Sequence, residues 1–158
     1  MNILYAYGEQ RVCKDASDAG IDGILAVDLP LEEQPEMLTP CRENGLCLIP
    51  LITPATPEER AKRILKNADG FVYYVSVRGI TGARHELPHE LKQQVSDLKK
   101  LSSIPIAVGF GIADGKTAHY VGSFADGVIV GSAFVKRCGD GSEGAFVKEI
   151  RESLNAAE

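Results

Sequence analysis

A chain of 158 residues, 44% of them hydrophobic and 25% charged, is long enough to bury a core and reads as one soluble globular domain. Its net charge of −5 at pH 7, with both signs interleaved and no basic block, excludes nucleic acid and an anionic membrane as main partners. The apolar runs are too short to span a bilayer and the N-terminus lacks a signal-peptide pattern, so cytoplasmic residence is expected.

In chain order, Met1 to Tyr7 (MNILYAY) is a brief apolar start that reads as the tail of a strand. Glu9 to Ala19 places Val12, Cys13, Ala16 and Ala19 on one helical face, with Gly20 as the stop signal. Gly23 to Val27 (GILAV) is a buried strand ending at Asp28-Leu29-Pro30. A helix follows from Pro35, which Pro40 is expected to kink or shorten. Leu46 to Leu51 (LCLIPL) is the next strand. Thr56-Pro57-Glu58-Glu59 reads as a capping box, with Thr56 at the N-cap and Pro57 at the first helical position. Ala61, Ile64, Leu65 and Ala68 then form the stripe of a helix laid against a sheet.

Phe71 to Val77 is a strand in which Tyr73, Val75 and Val77 alternate with Tyr74. A polar, glycine-bearing loop, Arg78 to Glu86, leads to a helix starting at Pro88, with Leu91, Val95, Leu98 and Leu101 facing inward. Ile104 to Val108 is a strand, Thr117 to Val121 a short helix and Val128 to Val130 a strand. Phe146, Val147, Ile150 and Leu154 mark a closing helix. About five βα units with no tight strand-to-strand turn call for a parallel sheet with right-handed crossovers. Two α/β architectures fit: an open doubly wound sheet, or a partial (β/α)8 TIM barrel, since a complete barrel takes about 250 residues.

Three strands end in glycine: at Gly82, at Gly109 and Gly111, and at Gly131 followed by Ser132. Bare backbone at the carboxyl ends of parallel strands can hold a phosphate, and the hydroxyl of Ser132 adds a donor; the same glycines also serve simple turns. Tyr73 fits either core packing or a site. Asp28 either orients a substrate or caps the next turn. Thr81 lies in the long loop, where it could close over a ligand or stand in solvent. His85, His89 and His119 show no ligand spacing and no metal site is expected. Cys13, Cys41, Cys47 and Cys138 show no CxxC spacing and read as reduced, mostly buried thiols.

Taken together, FVYYVSVRGITGAR, AVGFGI, ADGVIVGSAFVK and GIDGILAVDLP resemble the alpha subunit of tryptophan synthase. The likeness runs from about Asn2 to the C-terminal helix, with the chain opening at about the end of that family's third barrel strand. It implies a (β/α)8 barrel that cleaves indole-3-glycerol phosphate to indole and glyceraldehyde 3-phosphate and passes the indole to a beta subunit. Pyridoxal phosphate is expected only on that partner, with no cofactor here. By the resemblance, Gly82, Gly111, Gly131 and Ser132 hold the substrate phosphate, and Tyr73 is the active-site tyrosine beside the indole. Leu25, Val27, Leu51 and Phe110 wall the indole pocket, Thr81 assists loop closure, and Asp28 lies on the path of subunit communication. Asn2 and Pro30 fall where the family meets its beta subunit.

The family's essential glutamate and a second, indole-binding aspartate belong to elements upstream of those matched here. The expectation is therefore a polypeptide that keeps the phosphate half of the site and alone is a weak or inactive catalyst; losing a general acid–base costs roughly 10²–10⁴-fold. Glu86 and Glu90 sit in the loop and the next helix, poorly placed to substitute. The alternatives are a half-barrel that self-associates through its open edge and binds phosphate esters without chemistry, or a doubly wound sheet holding a phosphorylated cofactor.

Overall fold

The computed structural model describes residues 1–76, 89–109 and 111–157, apart from the side chain of Asn2. It opens not on a strand but on a short helix, α1 (Asn2–Tyr7), closed by Gly8 at φ 92°. Met1 and Leu4, one turn apart, both pack on an apolar cluster, and a helix can seat that pair without needing a sheet edge. Helix α2 (Glu9–Asp18) follows, then strand β1 (Gly23–Leu25). Helix α3 (Gln34–Glu43) is not cut short at Pro40. The Pro40 carbonyl accepts from both the backbone and the side-chain N–H of Asn44, at 3.2 and 2.9 Å, which closes the helix end.

The expected strand over LCLIPL is two strands, β2 (Cys47–Ile49) and β3 (Leu51–Ile52). Pro50 has no N–H to give a ladder, although its carbonyl still accepts from Tyr73 N–H at 2.9 Å. Helix α4 (Glu58–Leu65) has Pro57 at its N-cap, with no side-chain cap. Thr56 instead turns its Oγ1 back to accept from Thr53 N–H at 3.1 Å, so the expected capping box does not form. The true box lies further on, where Asp114 and Thr117 cap one another reciprocally.

Next come β4 (Val72–Val75), α5 (Leu91–Leu101), β5 (Ile106–Gly109), α6 (Gly115–Gly122) and β6 (Gly127–Ile129). The seven-residue α7 (Ser132–Cys138), which periodicity does not announce, and α8 (Glu143–Asn155) complete the chain. Leu91, Val95 and Leu98 are buried as expected, but Leu101, the last residue of α5, is 36% exposed. The expected start of α5 at Pro88 and the loop before it lie outside the described residues.

All strand pairs are parallel, and the sheets run β1-β2 and β3-β4-β5-β6. A doubly wound sheet reverses its strand order at a switch point; here the order follows the sequence without reversal, as in a stretch of barrel. That overturns the doubly wound alternative. One rung crosses four strands as Leu51, Tyr73, Ala107 and Gly127, and the next as Ile52, Tyr74, Val108 and Val128. The second rung joins Leu91, Val95, Leu98, Ala118, Val121 and Phe146 in the larger core beneath the helices. The first faces the other way, so Tyr73 and Leu51 belong to the inner face of the curved sheet.

The smaller core unites α2, α3 and β2 through Cys13, Met37, Cys41, Leu46 and Leu48. Burial pushes the Cys41 thiol up to about 12, aided by Cys13, and also raises Cys13. An unfolded cysteine ionises near 9.0, so from there upward the unfolded chain has released protons that the folded one retains. The contribution of this thiol to stability is fully present below pH 9 and is lost as pH rises toward 12. The thermal midpoint should fall over that range, and a Cys41→Ala variant should fall less steeply. Equal slopes in the two proteins would rule out this origin.

Candidate active site

Because β3, β4, β5 and β6 all pair in parallel, their carboxyl ends share one rim, the face on which barrel sites are built. The rung Val75, Gly109, Ile129 sets three strand ends level. Gly111 and Gly131 each come two residues later in sequence, after the ends of the adjacent strands β5 and β6. Gly111 has φ 79°, a left-handed conformation that glycine adopts without strain. Gly131 is the N-cap of α7, exposed, and a Cβ built on it meets nothing within 4 Å. Ser132 opens α7 and is exposed beside it. Bare backbone and a hydroxyl therefore stand together just past the tip of β6, the strand paired with β5. Thr81, Gly82 and Phe110 lie outside the described residues.

Tyr73 is half-buried on the inner face, and its hydroxyl lies over Gly109, where an added Cβ would come within 2.4 Å of Oη and 2.7 Å of Cζ. Burial raises its phenol above the ordinary 10.0, so at neutral pH Tyr73 is a protonated hydrogen-bonding group and not a base. Gly109→Ala should cost about 1–3 kcal/mol by forcing the ring aside. In a Tyr73→Ala background the same change should cost little. Urea titrations of the four proteins test the coupling, and strict additivity would refute the contact.

A residue that sequence reasoning missed is Ser76, at the end of β4. It is fully buried, and its Oγ donates to Gly109 O at 2.9 Å while its N–H donates to the same carbonyl at 3.1 Å. Two donors on one carbonyl fix the tip of β5 just before the glycine turn. The signal was a lone serine inside the apolar run FVYYVSV.

The residues assigned to the apolar wall are only partly assembled. Val27 and Leu51 line a common cavity of about 190 Å³ with Leu29, Pro30, Thr53 and Arg60. Leu51 is also the rung partner of Tyr73. Leu25 and Val27 are, however, 41% and 69% exposed. The expected buried strand Gly23 to Val27 ends at Leu25, with no fully buried residue, and Val27 lies in the turn after it. Strand β1 belongs to the two-stranded sheet β1-β2, which pairs with no strand of the other sheet among the described residues. Asp28 is exposed, and its carboxylate accepts from the Met1 ammonium at 2.5 Å, which holds it below the usual carboxylate range. Glu90 is exposed, at the N-cap of α5. Among the described residues no group of three or more His, Cys, Asp or Glu could hold a metal, and no helix is long and apolar enough to cross a membrane.

A family model described as tryptophan synthase alpha chain matches residues 1–158. The tryptophan synthase alpha chain of Methanocaldococcus jannaschii is 46% identical over 135 residues, which are 85% of this chain and 48% of that protein. That of Thermoanaerobacter pseudethanolicus is 39% identical over 155 residues, 98% of this chain and 59% of its own. Among solved structures, the alpha chain from Legionella pneumophila superposes with a TM-score of 0.84 at 34% identity, covering 98% of this chain and 60% of that one. A chain of the tryptophan synthase α2β2 complex from Pyrococcus furiosus does so at 0.83 and 37%, covering 98% and 64%. The chain thus spans about half to three-fifths of the length of the curated relatives it matches.

Proposed function

Because the chain belongs to the tryptophan synthase alpha chain family, we propose that residues 1–158, as one domain, form the phosphate-binding half of a site that cleaves indole-3-glycerol phosphate to indole and glyceraldehyde 3-phosphate. The observation that carries this reading is the paired strand tips. Gly109 and Ile129 are rung partners, Gly111 and Gly131-Ser132 each follow two residues later in sequence, and open space lies where a Cβ of residue 131 would project. Backbone N–H groups of Gly82, Gly111 and Gly131 and the Ser132 hydroxyl hold the phosphate in charge-assisted hydrogen bonds. Tyr73, kept protonated by burial, lies below the rim on the inner face. There it supports the indole together with Leu51, Val27, Leu25 and Phe110, while Thr81 helps close the loop above.

The proton transfers of a retro-aldol cleavage need a general acid–base, which the family pattern supplies from elements before those matched here. The polypeptide of these 158 residues, expressed alone, therefore binds the phosphate ester and releases indole weakly or not at all. The partner is a beta subunit carrying pyridoxal phosphate, met near Asn2 and Pro30 with Asp28 on the communication path. The likeness to the α2β2 complex of Pyrococcus furiosus supports that pairing. No cofactor is held by these residues themselves, and the work is done in the cytoplasm.

Titration calorimetry with glycerol 3-phosphate tests the binding half, for which saturable one-to-one binding is expected. The absence of binding, or full-rate indole release by the 158-residue polypeptide, would sink the reading. A second reading is favoured by one feature, the outer edge of β6, which pairs with no strand among the described residues. Beside it runs a groove of about 680 Å³ of mixed lining, with Val128, Phe134, Val147 and Leu154 alongside Asp126 and Arg151. Unpaired edges invite association, so a half-barrel that binds phosphate esters without chemistry would be a dimer by light scattering.

A further inference from the structure

The sequence separates Cys13 from Cys41 by 28 positions and gives no hint that they meet. The fold brings α2 against α3 so that the two sulfurs lie 3.6 Å apart, the distance of van der Waals contact. Both residues are fully buried, as is Met37, whose Sδ is 3.7 Å from the Cys13 sulfur. The remaining cysteines are placed differently: Cys138 is exposed and Cys47 is half-buried on β2. We propose that Cys13 and Cys41 are a peroxide-oxidisable pair that closes into a disulfide, stapling α2 to α3 around β1 and the Asp28-Leu29-Pro30 turn.

Closure asks for little movement. The sulfurs, already in contact at 3.6 Å on two helices that share one core, must approach to about 2.05 Å. The oxidant is a small hydroperoxide, because a core filled by Met37, Leu46 and Leu48 has no room for a bulky mixed disulfide. In the first step one thiolate sulfur attacks a peroxide oxygen, the O–O bond breaks, and the leaving hydroxide takes up the thiol's proton as water. The resulting sulfenic acid is attacked by the second sulfur, the S–O bond breaks, and the oxygen leaves as a second water carrying the other thiol proton. Two thiols are oxidised by two electrons, and one peroxide is reduced to two waters. Since both sulfurs are buried, reaction proceeds through transient opening of α2 and is slow.

The staple falls where it has most to hold. The loop it closes, residues 13–41, contains all of β1, and the sheet β1-β2 has no ladder to β3-β4-β5-β6 among the described residues. Its other restraints across this segment are weakly protected, such as the ion pair between Met1 and the exposed Asp28. A cross-link here shrinks the unfolded ensemble of the segment and limits its opening in the folded state.

The test uses the 158-residue chain carrying Cys138→Ser, so that intermolecular bridges cannot form, treated with a modest excess of hydrogen peroxide. Non-reducing peptide mass mapping should find a Cys13–Cys41 cross-linked peptide, a mass loss of about 2 Da and free thiols reduced to Cys47 alone. The thermal midpoint should rise by about 6–12 °C and return on treatment with dithiothreitol. Cys13→Ala and Cys41→Ala should each give no cross-link, but the mapping of the parent protein decides the matter even if a variant folds poorly. Sulfinic acid at either residue, sulfoxide at Met37 without the cross-link, or a Cys41–Cys47 bridge would overturn the proposal. So would a cross-link that leaves the midpoint unchanged or lower.

Discussion

Replacing Gly131 with valine should leave the chain folded and lower its affinity for glycerol 3-phosphate by about 100-fold or more. A Cβ at this position meets nothing within 4 Å, and the residue is exposed at a negative φ of −108°. The side chain therefore projects into the space proposed for the phosphate and nowhere else. Hydrogen bonds to a charged group are each worth about 1.5–3 kcal/mol, and loss of two corresponds to at least two decades of affinity at about 1.4 kcal/mol per decade. Gly111→Val should lower binding as well, but its left-handed φ of 79° adds backbone strain, so its thermal midpoint should also drop. Calorimetry alongside thermal melts separates the two effects. Wild-type affinity in a folded Gly131→Val protein would show that the phosphate does not bind at this rim.

Phe146→Ala should cost about 3–5 kcal/mol in urea unfolding, the range for truncating a buried aromatic side chain. Phe146 is 3% exposed and joins α8 to the larger core. The Arg137 guanidinium lies 5.1 Å from its ring centroid and loses a cation–π partner in the variant. Collapse into the void is restrained, because α8 is tied to α6 through Gly115 N–H donating to Glu149 Oε1 at 2.8 Å and through the contact of His119 Nδ1 with Ser153 O at 3.1 Å. The neighbouring Val147, 52% exposed, is the internal control, and Val147→Ala should change stability by less than about 0.5 kcal/mol. A loss below about 1 kcal/mol at Phe146 would mean that α8 is not anchored through this ring.

Much of the architecture was legible in the residues. The helical stripes through Cys13, Ala61 and Ile64, and through Leu91, Val95 and Leu98, all point to buried faces in the structure. The alternation of Tyr73 with Tyr74 likewise separates an inner-face residue from a core residue. The misreadings share a cause. Thr56 had two partners within reach and bonded to Thr53, a choice that local sequence does not rank. Met1 to Tyr7 was apolar and short, and such a run has no preferred period until a neighbouring surface selects one.

Glycine, proline and apolar spacing by themselves determined that strands alternate with helices, that the strands are parallel, and which residues stand at their tips. These are local constraints, written in backbone stereochemistry and in the period of burial. Tertiary packing alone decided that the strand order runs without reversal, that Pro50 divides one run between two sheets, and that Ser76 fixes the carbonyl of Gly109. It also decided that Cys13 and Cys41 touch. Each of these depends on which surfaces meet across long stretches of chain, and no pattern within a single element records its partner.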